Sequence, residues 1–89
     1  MNNKTFPTSI SLIVFYDLEL QRITNKKSEK IIVNKGMPFL LLLSVLFQSY
    51  PKIEQHYPPG TLELLLNTRP PYDFDTLEDG DEVSLRIAF

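Results

Sequence analysis

The stretch of this 89-residue chain richest in groups able to do chemistry is Asp73-Phe74-Asp75-Thr76-Leu77-Glu78-Asp79-Gly80-Asp81. Carboxylates at alternate positions near a glycine suggest a calcium loop, in which oxygens at the first, third and fifth positions converge on one cation. Leu77 occupies the fifth position, where a ligand is needed, and Gly80 comes two places late. His56 is the single histidine, with no partner ligand near it in sequence, and there is no cysteine. A disulfide framework, iron–sulfur ligation and a thiol nucleophile are therefore excluded. Ser44 lies inside an apolar run of helical pattern and reads as a small packing residue. No glycine-rich phosphate loop, triad or paired-carboxylate spacing is present. The sequence reads as a protein that is not an enzyme and that calls for no cofactor or metal.

Charge limits the partners. The net charge of −2 gives no general nucleic-acid footprint. Basic residues gather at Arg22, Lys26, Lys27, Lys30 and Lys35, and acids at Asp73, Asp75, Glu78, Asp79, Asp81 and Glu82. These are either two solvated loops or, on a sharper reading, an acidic face for a basic partner. The apolar run Phe39–Phe47 is well short of the roughly 20 residues that span a bilayer. It lies mid-chain without the flanks of a signal peptide, so a buried helix is expected, not a membrane segment. A soluble, cytoplasmic protein follows, and the lack of cysteine suits a reducing compartment.

The elements that must position these residues can be read from periodicity. Residues 1–7 are expected to form a disordered lead-in, and 8–89 a single domain. Thr8 to Leu20 reads as a long strand, with Ile10, Leu12, Val14 and Tyr16 on one side. Gln21 to Lys30 reads as a turn, and Ile31-Ile32-Val33 as a short strand returning antiparallel. A helix is expected from about Met37 to Tyr50, with Pro38 in its first turn and Pro51 marking its end. Its core-facing stripe is expected at Leu40, Leu43, Phe47 and Tyr50, widened by Phe39 and Leu46. Leu41, Leu42 and Val45 extend beyond that stripe as a secondary apolar patch. Residues 51–60 read as a connection and Leu62 to Leu66 as a third strand. A proline-rich acidic loop follows, with room for a very short strand near Tyr72-Asp73-Phe74. Val83, Leu85, Ile87 and Phe89 alternate with polar or small residues as a last strand. Gly80 is expected at positive φ in the turn before it. This order gives an α+β domain of four or five strands, with one main helix on one face of a mixed sheet. The long apolar first and last strands, side by side and parallel, define the ubiquitin-like β-grasp.

With the elements placed, the sequence resembles the MoaD/ThiS family of ubiquitin-like sulfur carriers over roughly residues 8 to 89. The residues carrying the resemblance are Ile10 to Phe15, the helix ending SVLFQSYP, the stretch LELLLNTRP and the closing TLEDGDEVSL. Members finish in Gly-Gly, whose terminal carboxylate a partner enzyme adenylates and converts to a thiocarboxylate. Ile87-Ala88-Phe89 stands here instead, and a bulky Phe89 at that family position is not expected to serve as a sulfur donor. The resemblance implies docking of a hydrophobic sheet surface on an adenylating enzyme or a synthase large subunit.

The function expected is therefore non-covalent protein docking through the sheet face turned away from the helix. Alternation places Leu12, Val14, Leu64, Leu66, Val83, Leu85 and Ile87 toward the helix. It leaves Ile13, Phe15, Leu65, Arg86 and Ala88 as the partner-binding set, an apolar row with one basic rim residue. Two alternatives stand beside this: a sulfur carrier of molybdopterin or thiamine-type biosynthesis whose Gly-Gly tail is absent from this chain, and a structural subunit of an oligomer or larger complex.

Overall fold

The sheet is built from strands whose burial alternates residue by residue, although several outward positions are apolar as well. The computed structural model describes residues 8–58 and 60–88. The expected lead-in at residues 1–7, and the expected core position of Phe89, lie outside the described residues. Four strands form one sheet: β1 (Ser9–Tyr16), β2 (Ser28–Asn34), β3 (Leu62–Leu66) and β4 (Glu82–Ile87), in the order β2-β1-β4-β3. β1 pairs antiparallel with β2 and parallel with β4, while β3 is antiparallel to β4. The expected parallel pairing of the long first and last strands is what the structure has. Ile10, Leu12, Val14 and Tyr16 of β1 are buried, as are Leu66, Val83 and Leu85, with Leu64 and Ile87 packed partly buried against them.

Several boundaries differ from the sequence reading. β1 ends at Tyr16 instead of Leu20, because Asp17 turns the chain. Its carboxylate accepts the Leu20 N–H at 3.0 Å and its carbonyl the Gln21 N–H at 3.0 Å. The stretch read as an open turn holds one helical turn, α1 (Gln21–Thr24), closed by Asn25 in the left-handed region at φ 62°. It sets Leu20 and Thr24 into the core. β2 is correspondingly longer, beginning at Ser28. No strand forms at Tyr72–Phe74. The backbone there turns, Asp75 N–H donating to the Tyr72 carbonyl, and the loop instead delivers Leu77 to the core.

The helix is α2 (Phe39–Ser49), and Pro51 does more than end it. Proline lacks the N–H that a first helical turn cannot use, so Pro51 starts a second helix, α3 (Pro51–His56), where a plain connection was expected. Ile53 of α3 is fully buried. The core stripe is also rotated from the expected one. Phe39, Leu42 and Leu46 are buried, Leu43, Phe47 and Tyr50 flank them half-buried, and Leu40 points outward. Leu42 therefore belongs to the core and not to a surface patch. The outward apolar set is Leu40, Leu41 and Val45, and Ser44 is exposed beside them instead of packing. In FLLLLSVLFQS the polar residues Ser44 and Gln48 mark only a narrow outward strip, so periodicity leaves the buried side loosely defined.

Candidate functional site

The sheet face opposite α2 collects side chains from all four strands, and the register fixes who meets whom. Phe15 of β1 lies opposite Ser84 of β4, which in turn lies opposite Leu65 of β3. Phe15 and Leu65 thus flank a small residue across one row. Ile13 sits in the next row between Lys30 and Glu82, and Ile32 lies diagonal to it on β2, opposite Ser11. Phe15 is 40% exposed and Ile32 58%, while Ile13 and Leu65 are half-buried. Ala88 is exposed, and its N–H donates to the Thr61 carbonyl at 2.8 Å, which continues the ladder past Ile87. Ile13, Phe15, Leu65, Arg86 and Ala88 are therefore placed on one face.

Two features of this face were missed in the sequence. Ile32 belongs to it, and the signal was available: with Ile31 and Val33 turned inward, alternation turns Ile32 outward. Glu63 also belongs to it, opposite Arg86 and bonded to the Arg86 Nε. That pairing depends on register, which composition does not reveal. Arg86, expected as the basic rim residue, is half of an exposed ion pair with Glu63.

The acidic loop is largely structural. Asp79 accepts the Ser11 N–H at 2.7 Å, and Asp75 accepts the Tyr72 N–H at 2.8 Å. Asp81 accepts from the Asn67 side chain at 2.9 Å and from the Glu78 N–H at 2.8 Å. Asn67 returns the link, its side-chain oxygen accepting the Glu82 N–H at 2.9 Å. Asn67 and Thr68 both lie at positive φ, 51° and 71°, in the tight turn that closes β3. Asparagine tolerates that geometry and a β-branched threonine does not, so Thr68 is the strained member. Asn67 and the Asp-Gly-Asp-Glu turn, which helped carry the sequence resemblance, clasp the start of β4. Gly80 has φ 87° with open space around it, so backbone geometry and not crowding requires glycine.

On the helix side, Glu29 of β2 anchors a polar cluster. It accepts the Tyr16 hydroxyl at 2.5 Å, the Tyr50 hydroxyl at 2.7 Å and the Lys26 ammonium at 3.2 Å. Partial burial pushes the Glu29 carboxyl up, but the three donors outweigh it and hold it below its ordinary range. Burial, then the hydrogen bond to Glu29, raises the Tyr16 phenol well above its ordinary value. The cluster ties β1, β2 and the end of α2 together and presents no free nucleophile. A polar cleft of about 590 Å³ opens between α1 and α3, lined among others by Arg22, Lys52 and His56. Among the described residues no group of three or more His, Cys, Asp or Glu could hold a metal ion. No described helix is long and apolar enough to cross a membrane.

Neither protein-family models nor curated protein sequences give a match to this chain. Solved structures do. A Pyrococcus furiosus protein assigned as molybdopterin converting factor subunit 1 superposes with a TM-score of 0.80, covering 90% of this chain and 99% of its own, at 16% identity. The chain has the ubiquitin-like β-grasp fold. Small archaeal modifier protein 1 of Haloferax volcanii matches this β-grasp domain with a TM-score of 0.74 at 14% identity, over 86% of this chain and 95% of its own. The Methanosarcina acetivorans protein of the same name gives 0.70 at 14%, over 89% and 93%. The MoaD-like and modifier-like neighbours match the resemblance read from the sequence, and at such identities what is shared with the β-grasp domain is the fold.

Proposed function

We propose that this β-grasp domain is a small ubiquitin-like docking protein that binds a protein partner non-covalently through its outer sheet face. The observation that carries the reading is the apolar row of Ile32, Ile13, Phe15 and Leu65, which no described element covers. Such a row, edged by the Arg86–Glu63 pair, fits an apolar centre with a polar rim. Phe15 is the natural anchor, since aromatic side chains flanked by small neighbours dominate interface energetics. By resemblance the partner is an adenylating enzyme or a synthase large subunit. A chain without cysteine suits the cytoplasmic compartment in which such partners work.

Titration calorimetry against a purified adenylating enzyme of the sulfur-carrier type tests this. Phe15→Asp should weaken binding about tenfold or more, the loss of a central anchor. Leu41→Asp, on the far side of the helix, should leave it unchanged. Equal affinity of the Phe15 variant and the parent chain would defeat the reading. In the presence of ATP, an AMP adduct on this chain by mass spectrometry would replace docking with a carrier role.

A further inference from the structure

β3 is an edge strand, and part of its backbone faces away from the sheet. In its ladder with β4 the Ala88 N–H donates to the Thr61 carbonyl and the Asn67 N–H to the Glu82 carbonyl, both at 2.8 Å. Residues of an antiparallel strand turn their N–H and C=O groups alternately to one edge and the other. Thr61, Glu63, Leu65 and Asn67 therefore bond toward β4, and Leu62, Leu64 and Leu66 turn theirs outward. The fold uses the last of these itself, since Leu66 exchanges two bonds with Arg69, at 2.8 and 3.2 Å. At Leu62 and Leu64 no described residue bonds the outward groups. Beside them lies an apolar cavity of about 170 Å³, walled by the half-buried side chains of Leu62, Leu64, Leu43, Phe47 and Tyr57. A cavity of roughly 150 Å³ takes up a benzene ring, so this one has room for one large apolar side chain. Its charged wall residue is Glu54, which is exposed and pairs with no cation among the described residues.

We infer that β3 accepts an extended segment of a partner protein as a fifth, antiparallel strand, with one large apolar side chain of that segment in the cavity and a basic residue beside Glu54. The outward backbone groups select this occupant. A helix uses its own N–H and C=O groups internally, and only an extended chain meets those of Leu62 and Leu64 together. In strand addition the main-chain bonds supply affinity, and pockets for alternate side chains supply the choice of segment. The two halves of the site agree in geometry. Directly opposite residues of an antiparallel pair share a face, so the segment residue bonded to Leu64 turns its side chain to the side on which Leu64 lines the cavity. Charge agrees as well, because Glu54 calls for a cation and Arg69, farther along the edge, is engaged by Asp75. The chain's own Phe6 is out of reach. Tyr16, Leu85 and Leu64 lie level across the sheet, which puts Thr8 about 26 Å along it from Leu64. Phe6 stands two residues before Thr8, about 7 Å of chain. The cavity lies on the helix side of the sheet, so this inference and the docking proposal stand or fall separately.

Heteronuclear NMR titration of the full chain with the synthetic peptide acetyl-TKVFVKT-amide is the test. Its central phenylalanine and both lysines share one side of the extended peptide. The expected result is saturable shifts at the Leu62 and Leu64 amides and at Leu43, Phe47 and Tyr57. Alanine in place of the peptide's phenylalanine should weaken binding about tenfold or more. Methylation of that residue's backbone nitrogen, which removes a ladder donor and leaves the side chain, should weaken it by a similar factor. Leu62→Pro takes away an outward N–H at the first position of an edge strand, where proline is tolerated, and should abolish the shifts. Glu54→Lys should weaken binding about threefold and serves if the proline variant fails to fold. Absence of shifts up to millimolar peptide would overturn the inference, as would equal binding of the alanine and N-methyl peptides or shifts centred on Phe15 and Ile32. Tighter binding by Phe89→Ser than by the parent chain would make Phe89 the cavity's occupant and would equally overturn it.

Discussion

Glu29 shows how a single residue couples the fold to pH. Its carboxylate accepts two phenols and an ammonium, and its affinity for a proton is lower in the folded chain than at its ordinary value of 4.5. The stability it contributes is complete above that value and is lost as pH falls through the lower, folded one. Tyr16 works in the opposite sense. Raised above 10.0 in the fold, it contributes fully below that pH and loses its contribution as pH rises beyond it. We therefore expect a melting temperature that falls at both ends, the acid limb belonging to Glu29 and the alkaline limb to Tyr16. Glu29→Gln should cost about 1.5 kcal/mol or more at neutral pH, since charged acceptors make the stronger bonds, and should flatten the acid limb. Thermal melts across pH check this, and an acid limb identical to that of the parent chain would rule it out. None of this cluster was legible in sequence. Tyr16, Glu29 and Tyr50 come from three elements, and each alone is an unremarkable tyrosine or glutamate.

At the scale of elements, the strands were readable and the helices only partly so. Alternation sorted both faces of β1, β3 and β4 because a strand has only two sides. α2 has a continuum of sides, and when most are apolar the buried one is decided by neighbours such as Ile53 and Leu77. Pro51 was read as a stop although the same chemistry suits a start. The rotation of the stripe can be measured. Leu42→Ala should cost about 2–5 kcal/mol as a fully buried side chain, and Ile53→Ala the same, which would make α3 integral to the core. Leu41→Ala, in dilute protein, should stay within about 0.5 kcal/mol. Urea midpoints decide it. Equal losses for Leu41 and Leu42 would mean that the helix is rotated from the orientation described.

For the whole molecule, the topology followed from element order and strand length, since long apolar strands at either end of a chain with its main helix between two strand pairs meet most simply in the middle of the sheet. What sequence could not give was the lock on that pairing. Asp17 N–H donates to the Leu85 carbonyl at 3.1 Å, and its carboxylate accepts the Ile87 N–H at 2.6 Å, across 70 positions of sequence. Asp17→Ala should therefore speed hydrogen exchange at the Ile87 amide and lower stability by about 1–3 kcal/mol, the cost of an unsatisfied donor. Unchanged protection at Ile87 would show that the strand end is held by other means.

The parallel contact between β1 and β4 also bears on how the protein is born. A ribosome delivers β1 and β2 early, and they can close as a hairpin at once, but the inner edge of β1 has no partner until β4 has been made and has left the exit tunnel. At elongation rates of roughly 5–20 residues per second, that edge stays bare for several seconds, with Leu12 and Val14 uncovered. The domain cannot complete its sheet piecemeal during translation. The β1–β2 hairpin can form early, but the sheet closes only when β4 reaches the inner edge of β1.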